Sequence, residues 1–319
     1  MKKKILLVTG DPNSINSEII FKTWKKINKS LKKRIYLISN YDLLFKQFKK
    51  QKYKIDMITV KNIYEKQNSN KLKILNVELN FNNPFSIIKK NSSSFVVKTL
   101  NLAHKLSLDN NVVGFINCAI NKNLISNKGL GVTEFLSNKC KLKKNGAVMM
   151  IHNKKLSVIP LTTHINIKKV SGQITKSLIV NKVKTARIWY KKNLKKDPQF
   201  GILGLNPHNN ELRKNSEELK IIIPAIKRLK KLGINVKGPL VSDTLFMSEY
   251  KKYDIVVGMY HDQVLAPFKT LYKFDAINVT LGLKYLRASP DHGTAKNLTL
   301  KNTANPQSLI NCVNFFSKF

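Results

Sequence analysis

Acidic residues are scarce in this chain: 18 Asp and Glu stand against 58 Lys and Arg in 319 residues, a formal charge of +40. An excess of that sign suggests nucleic acid or an anionic membrane surface as a partner. The lysines, however, are spread along the whole length among many Asn and Ile, with few Ala, Gly and Arg, as an AT-rich coding sequence would give. We read most of the charge as bias on a solvated surface. No nucleic-acid-binding module and no basic-aromatic alternation is present, so no specific nucleic acid partner is expected.

Cysteine is scarcer still. Cys118, Cys140 and Cys312 are odd in number and far apart, which excludes a disulfide framework and a Cys-based zinc site and fits a reduced cytoplasm. Long apolar runs are missing too; none approaches the roughly 18 residues of a membrane-spanning helix. Met1-Lys2-Lys3-Lys4 followed by Ile5-Leu6-Leu7-Val8 imitates the start of a signal peptide, but the apolar run stops at Thr9-Gly10-Asp11, too short for an h-region. A soluble, cytoplasmic protein without a membrane partner is expected. Glycine is sparse, and Gly-x-Gly-x-x-Gly is absent, so there is no dinucleotide fingerprint.

With 42% hydrophobic residues the chain can bury one large core or two ordinary ones. Short β-rich runs at Ile5–Thr9, Arg34–Ile38, Ile55–Val60, Lys71–Val77 and Val112–Ile116 alternate with segments of helical spacing at 17–27, 41–48 and 94–106. That alternation predicts a mainly parallel sheet with covering helices. Ser17 is placed to cap the first helix. His104 reads as a plain surface or core histidine, and Cys118, with no histidine near it in sequence, as a small buried residue. A loop and short helix at 129–136 mark the change to a second lobe. There, Ala147–Ile151 and Leu156–Leu161 form neighbouring strands turned through 152–155, with His152 in the turn. Ser171–Asn193 has the spacing of one long helix, and another runs from Glu217 to Leu232 after the strand Phe200–Leu205.

Three histidines, His164, His208 and His261, each follow the end of a predicted strand. Carboxyl ends of parallel strands converge on one rim, where open α/β sheets place their ligands. Three neutral imidazoles leave an open coordination position on a divalent ion. Asp243 and Asp262 are suited to fixing an imidazole tautomer or accepting a proton. Lys269, Asn278, Arg287 and Asp291-His292-Gly293 follow within a short span of His261, and this concentration points to a metal and an anionic substrate.

The longer motifs extend this reading. Asn206-Pro207-His208, Gly238-Pro239 with Asp243-Thr244-Leu245-Phe246, Met259-Tyr260-His261-Asp262-Gln263 with Ala266-Pro267-Phe268-Lys269, Asn278 to Leu283 and Asp291 to Ala295 together resemble the 4-hydroxythreonine-4-phosphate dehydrogenase family. Gly10-Asp11-Pro12, Ile120-Asn121-Lys122, Thr133-Glu134-Phe135 and Thr162-Thr163-His164 fall in the same order, so the resemblance covers essentially the whole chain.

The resemblance implies an α/β fold of the isocitrate and isopropylmalate dehydrogenase kind, two α/β/α lobes with a cleft between them. The lobes are expected at 1–128 with 300–319, and at 129–299. It further implies a homodimer with the active site shared across the interface, and NAD-dependent oxidative decarboxylation of 4-phosphohydroxy-L-threonine to 3-amino-2-oxopropyl phosphate in pyridoxine 5'-phosphate biosynthesis. His164, His208 and His261 match the ligands of a divalent metal, which zinc, cobalt, magnesium or manganese can provide. Thr133, Lys269, Asn278 and Arg287 match positions that bind the phosphorylated substrate. The Asp291-His292-Gly293 loop is similar to the segment that meets the adenosine end of NAD, and Asp243 or Asp262 is placed to act as the base.

The chain departs from the family pattern at Val132, where His is usual. Loss of a contact to the substrate anion there is expected to weaken binding by about 1–3 kcal/mol. Asn209-Asn210-Glu211-Leu212-Arg213-Lys214-Asn215 replaces a Gly-rich loop, Val264 a glycine, and Asn13-Ser14-Ile15-Asn16 a Gly-containing turn. A same-family enzyme acting on threonate or erythronate 4-phosphate therefore stands as the alternative, and a basic nucleic-acid-binding protein as a distant one.

Overall fold

The computed structural model describes residues 2–65, 70–125, 131–142 and 146–319. Its strands are β1 (Lys4–Val8), β2 (Ile35–Ser39), β3 (Met57–Val60), β4 (Leu72–Asn76), β5 (Val112–Asn117) and β6 (Val148–His152). They continue with β7 (Ser157–Pro160), β8 (Phe200–Leu203), β9 (Val236–Leu240), β10 (Ile255–Gly258), β11 (Ile277–Leu281) and β12 (Leu286–Pro290). The helices begin with α1 (Asn16–Lys26), α2 (Lys29–Arg34), α3 (Tyr41–Lys50), α4 (Lys89–Ser107) and α5 (Val132–Lys139). After these come α6 (Val170–Gln173), α7 (Lys176–Leu194), α8 (Ile223–Lys231), α9 (Ser242–Leu245), α10 (His261–Tyr272) and α11 (Gln307–Phe316). Among the described residues no helix is long and apolar enough to cross a membrane.

The chain divides into two compact units, Met1–Cys140 with Leu283–Phe319, and Lys141–Gly282. Residues 131–140 and 283–299, expected from sequence in the second lobe, thus pack with the first. The reason is register: β12 lies parallel to β5, with Leu286, Arg287 and Ala288 opposite Gly114, Phe115 and Ile116. The expected boundary at 128/129 lies outside the described residues.

In the first unit the strands run in the order β3-β4-β2-β1-β5-β12. All the pairings from β3 to β12 are parallel. Parallel strands need crossover connections and are buried on both faces. That is why β1 and β2 read as nearly continuous apolar runs, 5–8 and 35–38, buried throughout. Ser17 does not cap α1; the chain turns into that helix at Ile15, and the Ser17 hydroxyl donates to Gln51 Oε1 at 3.0 Å. Asn28 and Asn40 are the capping residues here, accepting from Leu31 and Leu43 at 2.9 Å. Cys118 is buried as expected, and burial pushes its thiol pKa far up.

One buried cation stands out in this unit. Lys73 on β4 has no exposure, its ammonium donating to the Lys33 carbonyl at 2.6 Å and to the Lys32 carbonyl at 3.3 Å, in the last turn of α2. It also lies 4.6 Å from the Tyr36 ring centroid. Desolvation, with Lys4 nearby, outweighs these contacts and lowers its pKa from 10.5 to about 8. Below pH 8 both folded and unfolded chains hold the proton, and the penalty for burying the charge is fully felt. Between pH 8 and 10.5 the folded chain releases it first, so stability rises with pH. The expected gain is on the order of 2–3 kcal/mol. It is checked by denaturant unfolding of the wild type and Lys73→Met between pH 7 and 10; the methionine variant should lose the rise.

In the second unit the order is β11-β6-β7-β10-β8-β9. β6 is antiparallel to both β11 and β7, whereas β7, β10, β8 and β9 are mutually parallel. His152 ends β6 rather than lying in the turn, and its Nδ1 is 2.8 Å from the Ser157 hydroxyl. The long helix expected over 171–193 is two helices, because Thr175 takes an extended conformation and caps α7 through Leu178 N at 3.1 Å. The helix expected from Glu217 begins as a π-turn, Glu218–Ile222, before α8. A core of Ile151, Val158, Val256, Val264, Leu265 and Phe268 packs α10 onto the strands.

Candidate active site

The four parallel strands of the second unit deliver polar groups past one common end, the carboxyl rim where open α/β sheets place their ligands. His164 follows β7, His261 follows β10, His208 follows β8 and Asp243 follows β9. The rim is braced by hydrogen bonds between its loops. The Thr162 hydroxyl donates to the Met259 carbonyl at 2.8 Å, and the buried Lys182 ammonium to the Leu161 carbonyl at 2.7 Å. Gln263 accepts from Met259 N at 2.7 Å and donates to the Gly204 carbonyl at 2.8 Å, linking the ends of β10 and β8.

His164 and His261 come together, with ring centroids 5.8 Å apart. Nδ1 of His261 lies 2.6 Å from Asp262 Oδ1. A carboxylate only accepts, so this nitrogen carries the hydrogen, and in the neutral imidazole that tautomer leaves the lone pair on Nε2. Carboxylate-backed imidazoles are a recurring arrangement at metal sites. His208 does not join the pair: among the described residues no group of three His, Cys, Asp or Glu side chains comes together to hold a metal. Asp243 is exposed at the start of α9, its Oδ1 accepting from Thr244 N at 2.8 Å.

The loop carrying His208 has an unusual backbone. His208, Asn209, Asn210, Glu211 and Leu212 have φ of 50°, 57°, 48°, 49° and 54°, a complete left-handed turn. Left-handed conformation disfavours residues other than glycine by roughly 1–2 kcal/mol each, less for asparagine. The substituted glycines have therefore left their conformation behind, and other contacts hold it. Asn209 Nδ2 donates to the Pro239 carbonyl at 3.2 Å. Glu218, fully buried, accepts at Oε1 from Leu205 N at 2.7 Å and Asn206 N at 2.8 Å, while Glu217 accepts from Asn206 Nδ2 at 2.9 Å. Gly204 sits beneath this turn, where an added Cβ would lie 2.0 Å from Asn209 Oδ1 and 3.1 Å from Glu218 Oε1. Gly204→Ala is expected to lower stability by about 2 kcal/mol or more through that overlap, measured by denaturant unfolding.

Sequence reasoning singled out neither Glu218 nor the bracing role of Gln263. A signal was available for the first: in a chain with 18 acids, an adjacent pair a few residues beyond an Asn-Pro-His turn is not surface decoration.

The remaining residues lie elsewhere. Lys269 is exposed on α10, eight residues past His261 and so about 12 Å along the helix. Asn278 is near the start of β11, in register with Ile151, and its Oδ1 is buried without a partner among the described residues. In the first unit, Thr133 is in the first turn of α5 behind Val132. Arg287 is buried on β12, its Nε donating to Asn117 Oδ1 at 2.8 Å; burial lowers its pKa to about 10, leaving it charged at neutral pH. Asp291, His292 and Gly293 follow the end of β12. Nδ1 of His292 donates to the Gly293 carbonyl at 2.9 Å, its Nε2 is buried without a partner among the described residues, and a Cβ on Gly293 would meet open space.

Two α/β units whose strand ends carry imidazole, carboxylate and amide groups have the architecture of an α/β enzyme. The particular family follows from comparison. The model of the family described as pyridoxal phosphate biosynthetic protein PdxA matches residues 16–316. The 4-hydroxythreonine-4-phosphate dehydrogenase of Sulfurihydrogenibium sp. (strain YO3AOP1) is 37% identical over 317 residues, 97% of this chain and 96% of its own. That of Aquifex aeolicus (strain VF5) is 34% identical over 319 residues, 98% of this chain and 97% of its own. The crystal structure of 4-hydroxythreonine-4-phosphate dehydrogenase from Klebsiella pneumoniae superposes with a TM-score of 0.85 at 25% identity, covering 98% of both chains. The chain belongs to the PdxA family and is an oxidoreductase of pyridoxal phosphate biosynthesis.

Proposed function

We propose that this enzyme carries out the NAD-dependent and divalent-metal-dependent oxidation and decarboxylation of 4-phosphohydroxy-L-threonine to 3-amino-2-oxopropyl phosphate, in the cytoplasm and as a homodimer. The observation that carries the reading is the pairing of His164 with His261, 5.8 Å between ring centroids, with Asp262 on the rear nitrogen of His261. Two imidazoles aimed from adjacent strand ends fit two of the ligands a divalent ion takes from His-rich sites. The third, His208, we assign to a site completed by a second copy of the chain.

When bound, the ion would supply positive charge to acidify a substrate hydroxyl and to steady the negative charge left after carboxylate loss, and NAD would be the hydride acceptor. The chain's own residues do the rest. Asp262 holds the tautomer of His261, and Asp243, with one oxygen outside the bond to Thr244, takes the hydroxyl proton. Lys269 neutralises the substrate phosphate together with the guanidinium of Arg287, which the Asn117 bond keeps in one orientation. The orphaned Asn278 Oδ1 and the hydroxyl of Thr133 hydrogen-bond the substrate, and the orphaned Nε2 of His292 serves the adenosine end of NAD.

Chelator-stripped protein given 4-phosphohydroxy-L-threonine and NAD should form NADH only after zinc, cobalt, magnesium or manganese is restored. Asp262→Asn should weaken metal binding by about 10–100-fold. Val132 favours one second reading, a same-family enzyme for threonate or erythronate 4-phosphate, which have no amino group. Turnover of those acids in place of the hydroxythreonine would establish it.

A further inference from the structure

The exposed side of α3 carries Lys46, Lys49 and Lys50, while Leu43, Leu44, Gln47 and Phe48 bury the other. Helical spacing puts Lys46 and Lys50 one turn apart with Lys49 beside them. Opposite stands the segment 82–84, and between them is an open surface groove of about 620 Å³ lined by Lys46, Lys49, Lys50, Asn82, Asn83 and Pro84. That volume is ample for a small ligand.

The walls are built rather than incidental. Buried Gln47 donates to the Pro12 carbonyl at 2.9 Å and to the Pro84 carbonyl at 2.7 Å, fastening the far wall to the helix. Asn83 Oδ1 accepts from Phe85 N at 3.1 Å, so its amide nitrogen is the group left to donate. Lys46 is 5.1 Å from the Phe81 ring centroid. Among the described residues the lining holds three ammonium groups and two amides and no carboxylate. Like charges one turn apart repel, and a multivalent anion relieves that repulsion. Lysine binds phosphate as a point charge, and three set along a helix suit several linked phosphates better than one carboxylate.

We infer that this groove binds a linear phosphate chain, either free or as the tail of a nucleotide. An aromatic surface adjoins it: Phe45, 52% exposed, stacks on Tyr41 with 6.4 Å between centroids and 7° between planes, one turn before Lys49.

The test is calorimetric titration of the full-length protein with tripolyphosphate, and separately with ATP, at fixed ionic strength. The triple variant Lys46→Ala, Lys49→Ala, Lys50→Ala should bind tripolyphosphate about tenfold more weakly or worse. Two controls separate this site from the general charge and from the active site. Lys227→Ala, Lys230→Ala, Lys231→Ala removes the same charge at the same spacing from α8, and Lys269→Ala touches the residue assigned to the substrate phosphate; both should bind as the wild type does. Equal weakening in the α8 control would overturn the inference in favour of net charge alone, and loss in Lys269→Ala would assign the binding to the active site. ATP tighter than tripolyphosphate, with the excess removed by Phe45→Ala, identifies a nucleotide; equal affinities identify the phosphate chain.

Discussion

Equal amounts of His208→Ala and His261→Ala subunits, each inert alone, are expected on reassortment to regain about a quarter of the wild-type turnover. The expectation rests on where the histidines lie. His164 and His261 pair at 5.8 Å, whereas no trio of His, Cys, Asp or Glu side chains assembles among the described residues of one chain. A metal site drawing on His208 of one subunit and His261 of the other would be wholly wild type at one of the two positions in a mixed dimer, and doubly substituted at the other. Random exchange makes half the dimers mixed, and half of their sites are whole. Each homogeneous variant should lose roughly a thousandfold or more in turnover, because a substrate hydroxyl is then left without its positive charge. Metal content by equilibrium dialysis should follow the same pattern. A mixture that stays inert, from subunits shown to have exchanged, would mean that one chain supplies all its ligands after a rearrangement of the His208 turn.

Much of this arrangement is legible in the residues. The parallel strands of both units follow from short apolar runs punctuated by helical spacing, since strands buried on both faces must read that way. The placing of His164, His208 and His261 at strand ends follows from the same pattern, because β7, β10 and β8 are parallel neighbours. What periodicity does not encode is which side chain wins a local competition. Ser17 and Thr175 are both good capping residues; Thr175 caps α7, while Ser17 is drawn to Gln51 inside the fold. The division of the chain was also hidden, because β12 joins the first unit through pairing with β5, a contact between residues more than 150 positions apart. The left-handed turn at His208 runs against its own sequence: local preference argues against His208, Glu211 and Leu212 in that conformation, and the bonds made by Asn209, Glu217 and Glu218 hold it.

Those bonds make Glu218 the residue outside the proposed chemistry whose loss should be felt most. Its carboxylate has no exposure and accepts from two consecutive backbone amides, Leu205 and Asn206, where the chain leaves β8. A third donor, the Asn206 side chain, is 3.1 Å from Oε2. Glu218→Ala leaves these buried donors without an acceptor, and about 3–5 kcal/mol of stability should go with it. Glu218→Gln keeps one carbonyl oxygen but gives up the charge, so an intermediate loss of about 1–2 kcal/mol is expected. The effect on catalysis should exceed what unfolding explains. Asn206 begins the turn that carries His208, and displacement of a metal ligand by about an ångström is enough for a loss on the order of a hundredfold. Turnover per folded molecule, with the folded fraction taken from denaturant curves, separates the two effects. Unchanged turnover per folded Glu218→Gln molecule would mean that the left-handed turn holds His208 unaided.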